Sequence, residues 1–214
     1  MKLYDYGASC NCCKVRLLLS QLGIEYERVP VDIFDGGTLT EDFGRMNPAR
    51  TTPVLETDDG RLLQESNAIL VYLAEGTPLL PGDRFERAQV MRWLIYEQTD
   101  VIPTIAGLRF RLLTGRVEAS EPRAVRRREG GIEVLNLLEE HLSSRDYFAG
   151  DRYSIADIAV YGYTHRSQEA GVGLGPFAHV SEWLERVESQ PGYIEDVEPY
   201  PANARPGAGR SIYG

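Results

Sequence analysis

Apolar residues change their spacing several times along the first third of the chain. Residues 3–6 have the pattern of a short strand, and residues 14–22 carry apolar side chains at helical spacing before Gly23. Residues 26–32 are again rich in branched and aromatic side chains, which favour strands. The order strand, helix, strand predicts a βαβ unit whose two strands run parallel.

The following stretch predicts a hairpin between two helices. Residues 40–46 have the pattern of a short helix. Two apolar runs, residues 52–56 and 61–64, flank an Asp-Asp-Gly turn, and Asp-Gly between such runs indicates an antiparallel hairpin. Ser66 then precedes an apolar helix that Gly76 ends.

The remainder of the chain is helical in pattern. Two prolines and a glycine at residues 77–82 predict an interdomain linker, which we place at 77–84 between domains 1–76 and 85–198. Helices are expected over residues 85–113 (with a bend at Pro103) and 122–142, from Ser154 onward, and through Trp183. The tail, residues 199–214, is rich in Pro and Gly and is expected to be extended or disordered.

Composition and charge narrow the function. The 214 residues include 32 acidic and 23 basic side chains, a net charge of −9, which argues against nucleic acid as a partner. The N-terminus has no apolar signal core, and no stretch is long enough to cross a membrane, so we expect a cytoplasmic protein with no membrane partner.

Three of the first thirteen residues are cysteines, in the run Cys10-Asn11-Cys12-Cys13, where the first strand gives way to a helix. The positive end of a helix favours an anion, and it lowers the pKa of an exposed thiol. Cysteines clustered in this way are typical of a reactive or metal-binding site in a reducing compartment. The three histidines all lie far along the chain, so we expect no metal.

Four features together resemble the glutathione transferase family. They are the Ser9-to-Cys13 cluster at a helix start, Thr52-Pro53 opening a strand, Glu65-Ser66 opening a helix, and the β-α-β-α-β-β-α order. The resemblance extends from residue 1 to about residue 195. It implies an α/β thioredoxin-like N-terminal domain and an all-α helical C-terminal domain. It also implies glutathione as co-substrate, a detoxifying activity, and a homodimer formed through the helix after Phe85 and the region 65–72.

The resemblance assigns a glutathione-binding role to two motifs. Thr52-Pro53 is similar to the family's cis-proline turn, where the residue before proline pairs its backbone with the cysteinyl part of glutathione. Glu65-Ser66 is similar to the pair that binds the γ-glutamyl end. Arg50 and Thr51, just before the turn, complete the expected set of glutathione-binding residues.

Three candidates for activating the glutathione sulfur stay open. Ser9 takes the position of the catalytic serine in the serine-type classes. Cys10 falls where the bacterial beta class carries its cysteine, and Asn11 resembles the amide of classes that reduce disulfides. Tyr6 falls one position late for a tyrosine-type activator and is discounted.

The cysteines are expected to differ in their environment. Cys10 is closest to the loop and is expected to be exposed. Cys12 lies within the first helical turns and is expected to be buried and structural. Cys13, three residues after Cys10, is an alternative resolving thiol.

The resemblance places the electrophile between the domains. The expected lining residues are Tyr6, Ala8, Arg109, Phe110, Leu113 and Arg166. Either arginine could instead pair with an acid. The leading hypothesis is a glutathione transferase that conjugates the thiolate to a small electrophile. The alternatives are a glutathione-dependent disulfide oxidoreductase that uses Cys10, and a glutathione-fold binding protein without turnover.

Overall fold

The computed structural model describes residues 1–213 and divides into two compact units. Residues 1–73 and the C-terminal segment, residues 194–213, form one unit, which we call the sheet unit. Residues 74–193 form the other, the helical unit. The C-terminal segment therefore returns to the unit in which the chain begins.

The sheet unit contains a four-stranded mixed sheet. Its elements are β1 (Lys2–Asp5), α1 (Cys10–Leu22), β2 (Glu27–Pro30), α2 (Glu41–Met46), β3 (Val54–Glu56), β4 (Leu62–Gln64) and α3 (Ser66–Ala74). The strand order is β2-β1-β3-β4, with β1 parallel to β2 and antiparallel to β3. β3 and β4 form the antiparallel hairpin. The parallel βαβ unit and the hairpin predicted from the sequence are both confirmed.

Helix α1 begins at Cys10, four residues before the apolar pattern starts, because Ser9 caps it. The backbone of Ser9 is extended, and its hydroxyl accepts a hydrogen bond from the N–H of Cys12 at 3.4 Å. At the other end Gly23 adopts the left-handed conformation (φ 63°) and donates to the carbonyl of Ser20. Both ends of the helix are therefore fixed by local sequence.

The sheet unit has a core between the sheet and its helices. Apolar side chains of β1, α1, β3 and α3 are fully buried there; they are Leu3, Val15, Leu18, Leu19, Val54, Leu55, Ile69 and Leu70. This core fixes the register of β1 and α1, and thereby the position of the loop that joins them.

The C-terminal segment packs against the sheet unit, in contrast to the extended or disordered tail expected from its composition. It contains one 3₁₀ turn, Ala202–Ala204. Further along, Arg210 pairs with Asp35 in an isolated parallel bridge. Its backbone N–H donates to the carbonyl of Phe34 at 2.7 Å, and its carbonyl accepts from Gly36 at 2.9 Å. Long-range contacts, which composition does not encode, order this segment.

The helical unit consists of α4 (Arg84–Tyr96), a π-helical segment (Glu97–Ala106), α5 (Gly107–Leu113), α6 (Pro122–Leu142), α7 (Ile155–Thr164) and α8 (Ala178–Glu188). The π-helical segment contains Pro103, which lacks an N–H and so interrupts the regular ladder of the predicted long helix. The expected linker packs with this unit, because Leu80 is buried and the carbonyl of Leu79 accepts from the N–H of Ile155 at 3.0 Å.

The predicted capping box opens α7. The Ser154 hydroxyl accepts from Ala156 N–H, and the Asp157 carboxylate accepts from Ser154 N–H at 3.0 Å. Asp157 also accepts from the backbone of Phe148 at 3.1 Å and from the indole of Trp183 at 3.0 Å. Asp157 therefore joins the start of α7 to α8 and to the preceding loop, and its role is in folding.

Within residues 1–213 no helix combines the length and the apolar character that a membrane span requires. Over the same residues, no group of three or more His, Cys, Asp or Glu side chains is placed to hold a metal ion.

Candidate functional site

The start of α1 offers an environment for an anion. No acidic residue lies in its first turn, so the partial positive charge of the helix end is not neutralised locally. Ser9 is partly exposed at this end. Its position is fixed from both sides, because its N–H donates to the carbonyl of Tyr6 and its carbonyl accepts from Cys13, each at 3.0 Å.

All three cysteines are buried and free of disulfides. Cys10 has no exposed surface, so the expectation that it is exposed was wrong. Cys10 lies in the first turn of α1, on the same face as the buried residues Cys13 and Lys14, three and four positions later. A helix that starts at Cys10 turns this side chain into the interior. The expected burial of Cys12 is confirmed.

The Cys12 thiol lies where two of the predicted motifs meet. It accepts a hydrogen bond from the N–H of Tyr6 at 3.4 Å, and it interacts with the hydroxyls of Ser9 and Thr52. Burial nevertheless raises the pKa of Cys12 to about 12, and Asp5 adds to the increase. Cys12 is therefore a neutral thiol at physiological pH.

Cys13 is likewise kept protonated. Burial raises its pKa, and the negative charge of Asp196 adds to this effect. A protonated thiol is a poor nucleophile. This environment weighs against a resolving role for Cys13 in the conformation described.

The Thr52–Pro53 peptide bond is cis, as the resemblance implied. It lies directly before β3. Because the Thr52 hydroxyl interacts with the Cys12 thiol, the turn lies against the start of α1. The sulfur-activating candidates and the cis-proline turn are thus neighbours.

Two residues before this turn, Arg50 has a positive φ of 56° and its guanidinium is engaged internally. Its Nη1 donates to the carbonyls of Thr38 at 2.7 Å and Thr40 at 2.9 Å. The backbone carbonyl of Thr51 accepts from the amide of Asn47 at 2.8 Å. The structure therefore uses Arg50 and Thr51 to hold the cis turn in place.

Glu65 and Ser66 stand at the start of α3, beside α1. Glu65 is exposed, and its backbone has a positive φ of 68°. Residues other than glycine rarely adopt this conformation. The buried Ser66 hydroxyl lies 3.4 Å from Oδ1 of Asn11, which also accepts from Nζ of Lys14 at 2.9 Å. The side-chain oxygen of Asn11 is thus occupied by two donors.

Tyr6 and Ala8 are largely buried, and both line a cavity of about 430 Å³ together with Glu198 and Pro199 of the C-terminal segment. Their expected place in the electrophile pocket stays a prediction. Tyr6 is 7% exposed and Ala8 2% exposed. The Tyr6 ring packs against the rings of Phe34, at 6.0 Å, and Tyr200, at 6.3 Å. In residues 1–213 no group lies within hydrogen-bond distance of the buried Tyr6 hydroxyl, and burial raises its pKa.

In the helical unit, both candidate arginines pair with one acid. Nε of the buried Arg109 lies 2.5 Å from Glu169, and Nη1 of Arg166 lies 3.3 Å from the other oxygen of the same carboxylate. Pairing with an acid was the alternative role that the sequence left open for Arg109 and Arg166. The guanidinium of Arg116 lies 5.0 Å from the centre of the Phe110 ring. Leu113 is exposed.

The contribution of the C-terminal segment was not predicted from the sequence. Asp196, Glu198, Tyr200 and Tyr213 all contact the sheet unit close to β1 and Phe34. Composition gave no local signal for these contacts, because they join residues that are far apart in the sequence.

Comparisons with known proteins agree with this arrangement. A family model for the glutathione S-transferase N-terminal domain matches residues 8–75, and one for the C-terminal domain matches residues 97–191. Glutathione S-transferase 3 of Zea mays is 31% identical over 214 residues, covering 94% of this chain and 95% of that relative. Disulfide-bond oxidoreductase YfcG of Escherichia coli is 29% identical over 194 residues, covering 87% of this chain and 89% of that relative.

Among solved structures, a glutathione S-transferase from Pseudomonas fluorescens superimposes with a TM-score of 0.88. It is 40% identical, and the match covers 92% of this chain and 98% of that one. The two domain models, the full-length similarity to the Zea mays protein and the structural superposition all indicate the same family. The chain belongs to the glutathione S-transferase family.

Proposed function

We propose that the sheet unit binds glutathione with its sulfur at the start of α1, and that the Ser9 hydroxyl stabilises the thiolate for attack on a small electrophile. The observation that carries this proposal is the contrast in exposure at the helix start. Ser9 is partly exposed at the uncompensated positive end of α1, whereas Cys10, Cys12 and Cys13 are buried.

The energy required is within reach of these groups. Lowering the thiol pKa by about two units corresponds to about 3 kcal/mol of thiolate stabilisation. A hydrogen bond to a charged group contributes about 1.5–3 kcal/mol, and a helix end adds up to about 1 kcal/mol. One hydroxyl and the start of α1 together supply the stabilisation.

The remaining contacts with glutathione follow from the two motifs beside α1. The backbone of Thr52, before the cis Pro53, is the edge on which the cysteinyl part pairs. The exposed Glu65 carboxylate is the partner for the ammonium group, and Ser66 and the start of α3 take the γ-glutamyl carboxylate. Arg50 and Thr51 position the turn.

Two variants test the assignment of the sulfur-activating residue. We expect Ser9→Ala to lower the rate of conjugation about 10- to 100-fold, the loss of one charge-assisted hydrogen bond. It should also raise the pKa of bound glutathione, followed by the ultraviolet absorbance of its thiolate. Cys10→Ser should leave conjugation unchanged. Unchanged conjugation in Ser9→Ala, with glutathione still bound, would remove Ser9 from this role.

Disulfide reduction is the second candidate, favoured by the similarity to a relative named as a disulfide-bond oxidoreductase. A route through Cys10 and Cys13 requires two buried thiols to become accessible. A route in which Asn11 donates to the glutathione sulfur does not. Reduction of hydroxyethyl disulfide separates the routes, because Asn11→Ala should impair the second and Cys10→Ser only the first.

From the helical unit we propose Phe110 and Leu113 as electrophile contacts, because Arg109 and Arg166 are occupied by Glu169. A Leu113→Ala variant should raise the KM for an apolar electrophile while leaving the KM for glutathione unchanged. A rise in both would argue against a specific contact.

We further propose that the protein is a homodimer that uses α4. This helix exposes Phe85 and Ile95, at 71% and 59% of their surface, which is unusual for large apolar side chains on one helix. Light scattering during gel filtration measures the mass directly. Phe85→Glu should convert the dimer into a monomer, and an unchanged mass would exclude this face.

A further inference from the structure

Two arginines of the helical unit, Arg111 on α5 and Arg127 on α6, meet beside Gly107. They have room there because Gly107 has no side chain. A Cβ at this position would lie 3.2 Å from Nη1 of Arg111 and 3.1 Å from Nη1 of Arg127. Both arginines are partly exposed, so solutes can reach them. Two guanidinium groups therefore share the space over one glycine.

A second glycine brings α6 close enough for this contact. Gly130 lies on α6 about one turn after Arg127, and the two positions share one face of the helix. A Cβ at Gly130 would come within 2.8 Å of Cγ2 of Thr104 in the π-helical segment. A larger residue would push α6 away from that segment. The close approach of the two helices thus holds Arg127 beside Gly107.

Backbone carbonyls anchor both guanidinium groups. The N–H of Gly107 donates to the carbonyl of Ile102 instead of following the α-helical pattern to Pro103. The carbonyl of Pro103 accepts a hydrogen bond from Nη1 of Arg127. Nη1 of Arg111 donates to the carbonyl of Gly107 at 2.8 Å. Each guanidinium is therefore held through Nη1, and its other N–H donors make no hydrogen bond within residues 1–213.

The positive charge beside Gly107 is not balanced by the protein. Arg123 is paired with Glu121 at 3.0 Å, but in the part of the chain that the structure describes neither Arg111 nor Arg127 is paired with a carboxylate. Burial lowers the pKa of Arg111, and the charges of Arg127, Arg123 and Arg116 lower it further. The chain has more acidic than basic side chains, so a shortage of acids is not the cause. A bound anion would relieve this repulsion.

We propose that Arg111 and Arg127 form a binding site for a phosphate group of a small-molecule ligand. A phosphate monoester carries about two negative charges on one centre at neutral pH, which matches two adjacent guanidinium groups, whereas a carboxylate carries only one. The forked donors of each guanidinium fit the phosphate oxygens. The nearby charges of Arg116 and Arg123 favour a ligand that has a second phosphate. This proposal does not depend on glutathione binding by the sheet unit.

Calorimetric titration of the full chain with pyrophosphate tests the site. The ionic strength is held constant, because added salt screens exposed charges. We expect the wild-type protein to bind pyrophosphate. Arg111→Gln and Arg127→Gln should each weaken binding about tenfold or more, the loss of one charge-assisted contact. A wild-type protein that does not bind pyrophosphate would overturn the proposal.

Arg126→Gln is the matched control. Arg126 is the exposed neighbour of Arg127 on α6, and its charge is not among those that act on Arg111. The substitution removes the same charge from the same helix, and we expect the affinity for pyrophosphate to stay that of the wild-type protein. An equal loss in Arg126→Gln and Arg127→Gln would mean that pyrophosphate responds only to the general charge of α6, which would overturn the site.

Gly107→Ala tests the geometry without removing a charge. Gly107 has helical backbone angles (φ −66°, ψ −30°), so alanine fits the backbone and should not lower the stability to urea. Its methyl group would meet Nη1 of both arginines and displace the guanidinium groups. We expect weaker binding of pyrophosphate by a stable protein. Unchanged binding would show that the meeting of the two groups at Gly107 does not form the site.

Two further measurements test the ligand class. A ligand that binds only the folded state stabilises it, so pyrophosphate should raise the urea midpoint of the wild-type protein and of Arg126→Gln more than that of Arg127→Gln. Equal increases in all three would overturn the role of Arg127. Citrate carries a similar charge on carboxylates and should bind more weakly than pyrophosphate. Equal binding of citrate would mean that the site selects charge alone, and would overturn its assignment to a phosphate group.

Discussion

The guanidinium of Arg16 binds the carboxylate of Asp196 through two hydrogen bonds, although 180 residues separate the two in the chain. Arg16 also pairs with Asp5, and both of these side chains are buried. Removing one partner from a buried ion pair leaves a charge without compensation, which costs about 3–5 kcal/mol when both partners are fully buried. Asp196 is one-third exposed, so the cost here is smaller.

Asp196→Ala should therefore loosen the C-terminal segment. Trypsin cleaves after arginine, but the bond after Arg205 precedes Pro206 and is resistant, which leaves Arg210 as the site in the segment. In the wild-type protein the backbone of Arg210 is paired with Phe34 and Gly36 and must detach before cleavage. We expect Asp196→Ala to accelerate loss of the last four residues about tenfold, measured by mass spectrometry.

Asp151→Ala is the matched control for this experiment. Asp151 is an exposed acidic residue of the helical unit, and the substitution makes the same change in net charge. Its cleavage rate should equal that of the wild-type protein. Equal rates for Asp196→Ala and the wild type would show that the Arg16–Asp196 pair does not hold the segment.

The sheet and its connections could be predicted from the sequence because their signals are local. The Asp-Gly turn at Gly60 and the helical spacing that ends at Gly23 each depend on neighbouring residues only. The same holds for the capping box of Ser154 and Asp157. The resemblance to a family added the cis bond before Pro53, which no local pattern specifies.

The environment of Cys10 and the position of the C-terminal segment could not be predicted in this way. Whether Cys10 faces inward depends on the residue at which α1 starts, and one position rotates a side chain by about 100° around the helix. The segment depends on Asp196 and Arg210 finding partners near the other end of the chain. A single sequence does not encode such pairings in any local pattern.

The burial of the three thiols predicts slow modification of the native protein. With a pKa of about 12, on the order of one Cys12 in ten thousand is thiolate at about pH 8. We expect iodoacetamide to label the cysteines of the native protein at least about 100-fold more slowly than those of the protein unfolded in urea. Mass spectrometry after timed quenching counts the labelled thiols.

A substituted protein calibrates this measurement. Ser144 is exposed in the loop after α6, so Ser144→Cys adds one accessible thiol to the same fold. That thiol should react at the rate of a free cysteine while the other three stay unlabelled. Labelling of Cys10 at the rate of the added thiol would contradict the burial described here and would revive the expectation of an exposed Cys10.

The positive φ of Glu65 predicts opposite changes in stability and binding. Glu65→Gly relieves an unfavourable backbone conformation, and we expect the free energy of unfolding to rise by about 1 kcal/mol. The same change removes the carboxylate proposed to meet the glutathione ammonium, so glutathione should bind about tenfold more weakly. Urea denaturation and calorimetry measure the two quantities.

Glu65→Gln separates the two effects. It keeps a side chain at the positive φ and removes only the negative charge. Its stability should match that of the wild-type protein, and its affinity for glutathione should fall as in Glu65→Gly. A glycine variant that binds glutathione as tightly as the wild type would remove Glu65 from the site.

Asp157 predicts a dependence of stability on pH. Burial raises its pKa from 3.8 to about 6, although the backbones of Phe148 and Ser154 and the indole of Trp183 donate to it and oppose the increase. A carboxyl group whose pKa is raised by folding binds its proton more tightly in the native state. The stabilisation from protonation is therefore complete below about pH 3.8 and is lost as the pH rises through about 6.

Asp157→Asn isolates this contribution. The asparagine side chain does not titrate, and every other titrating group of the protein is kept. The free energy of unfolding of the wild-type protein, relative to that of Asp157→Asn, should increase by about 1 kcal/mol from about pH 7 to about pH 5. Urea denaturation at each pH measures the difference. A difference that stays constant, or that shrinks toward pH 5, would mean that the four hydrogen bonds outweigh burial and that the carboxylate is ionised throughout this range.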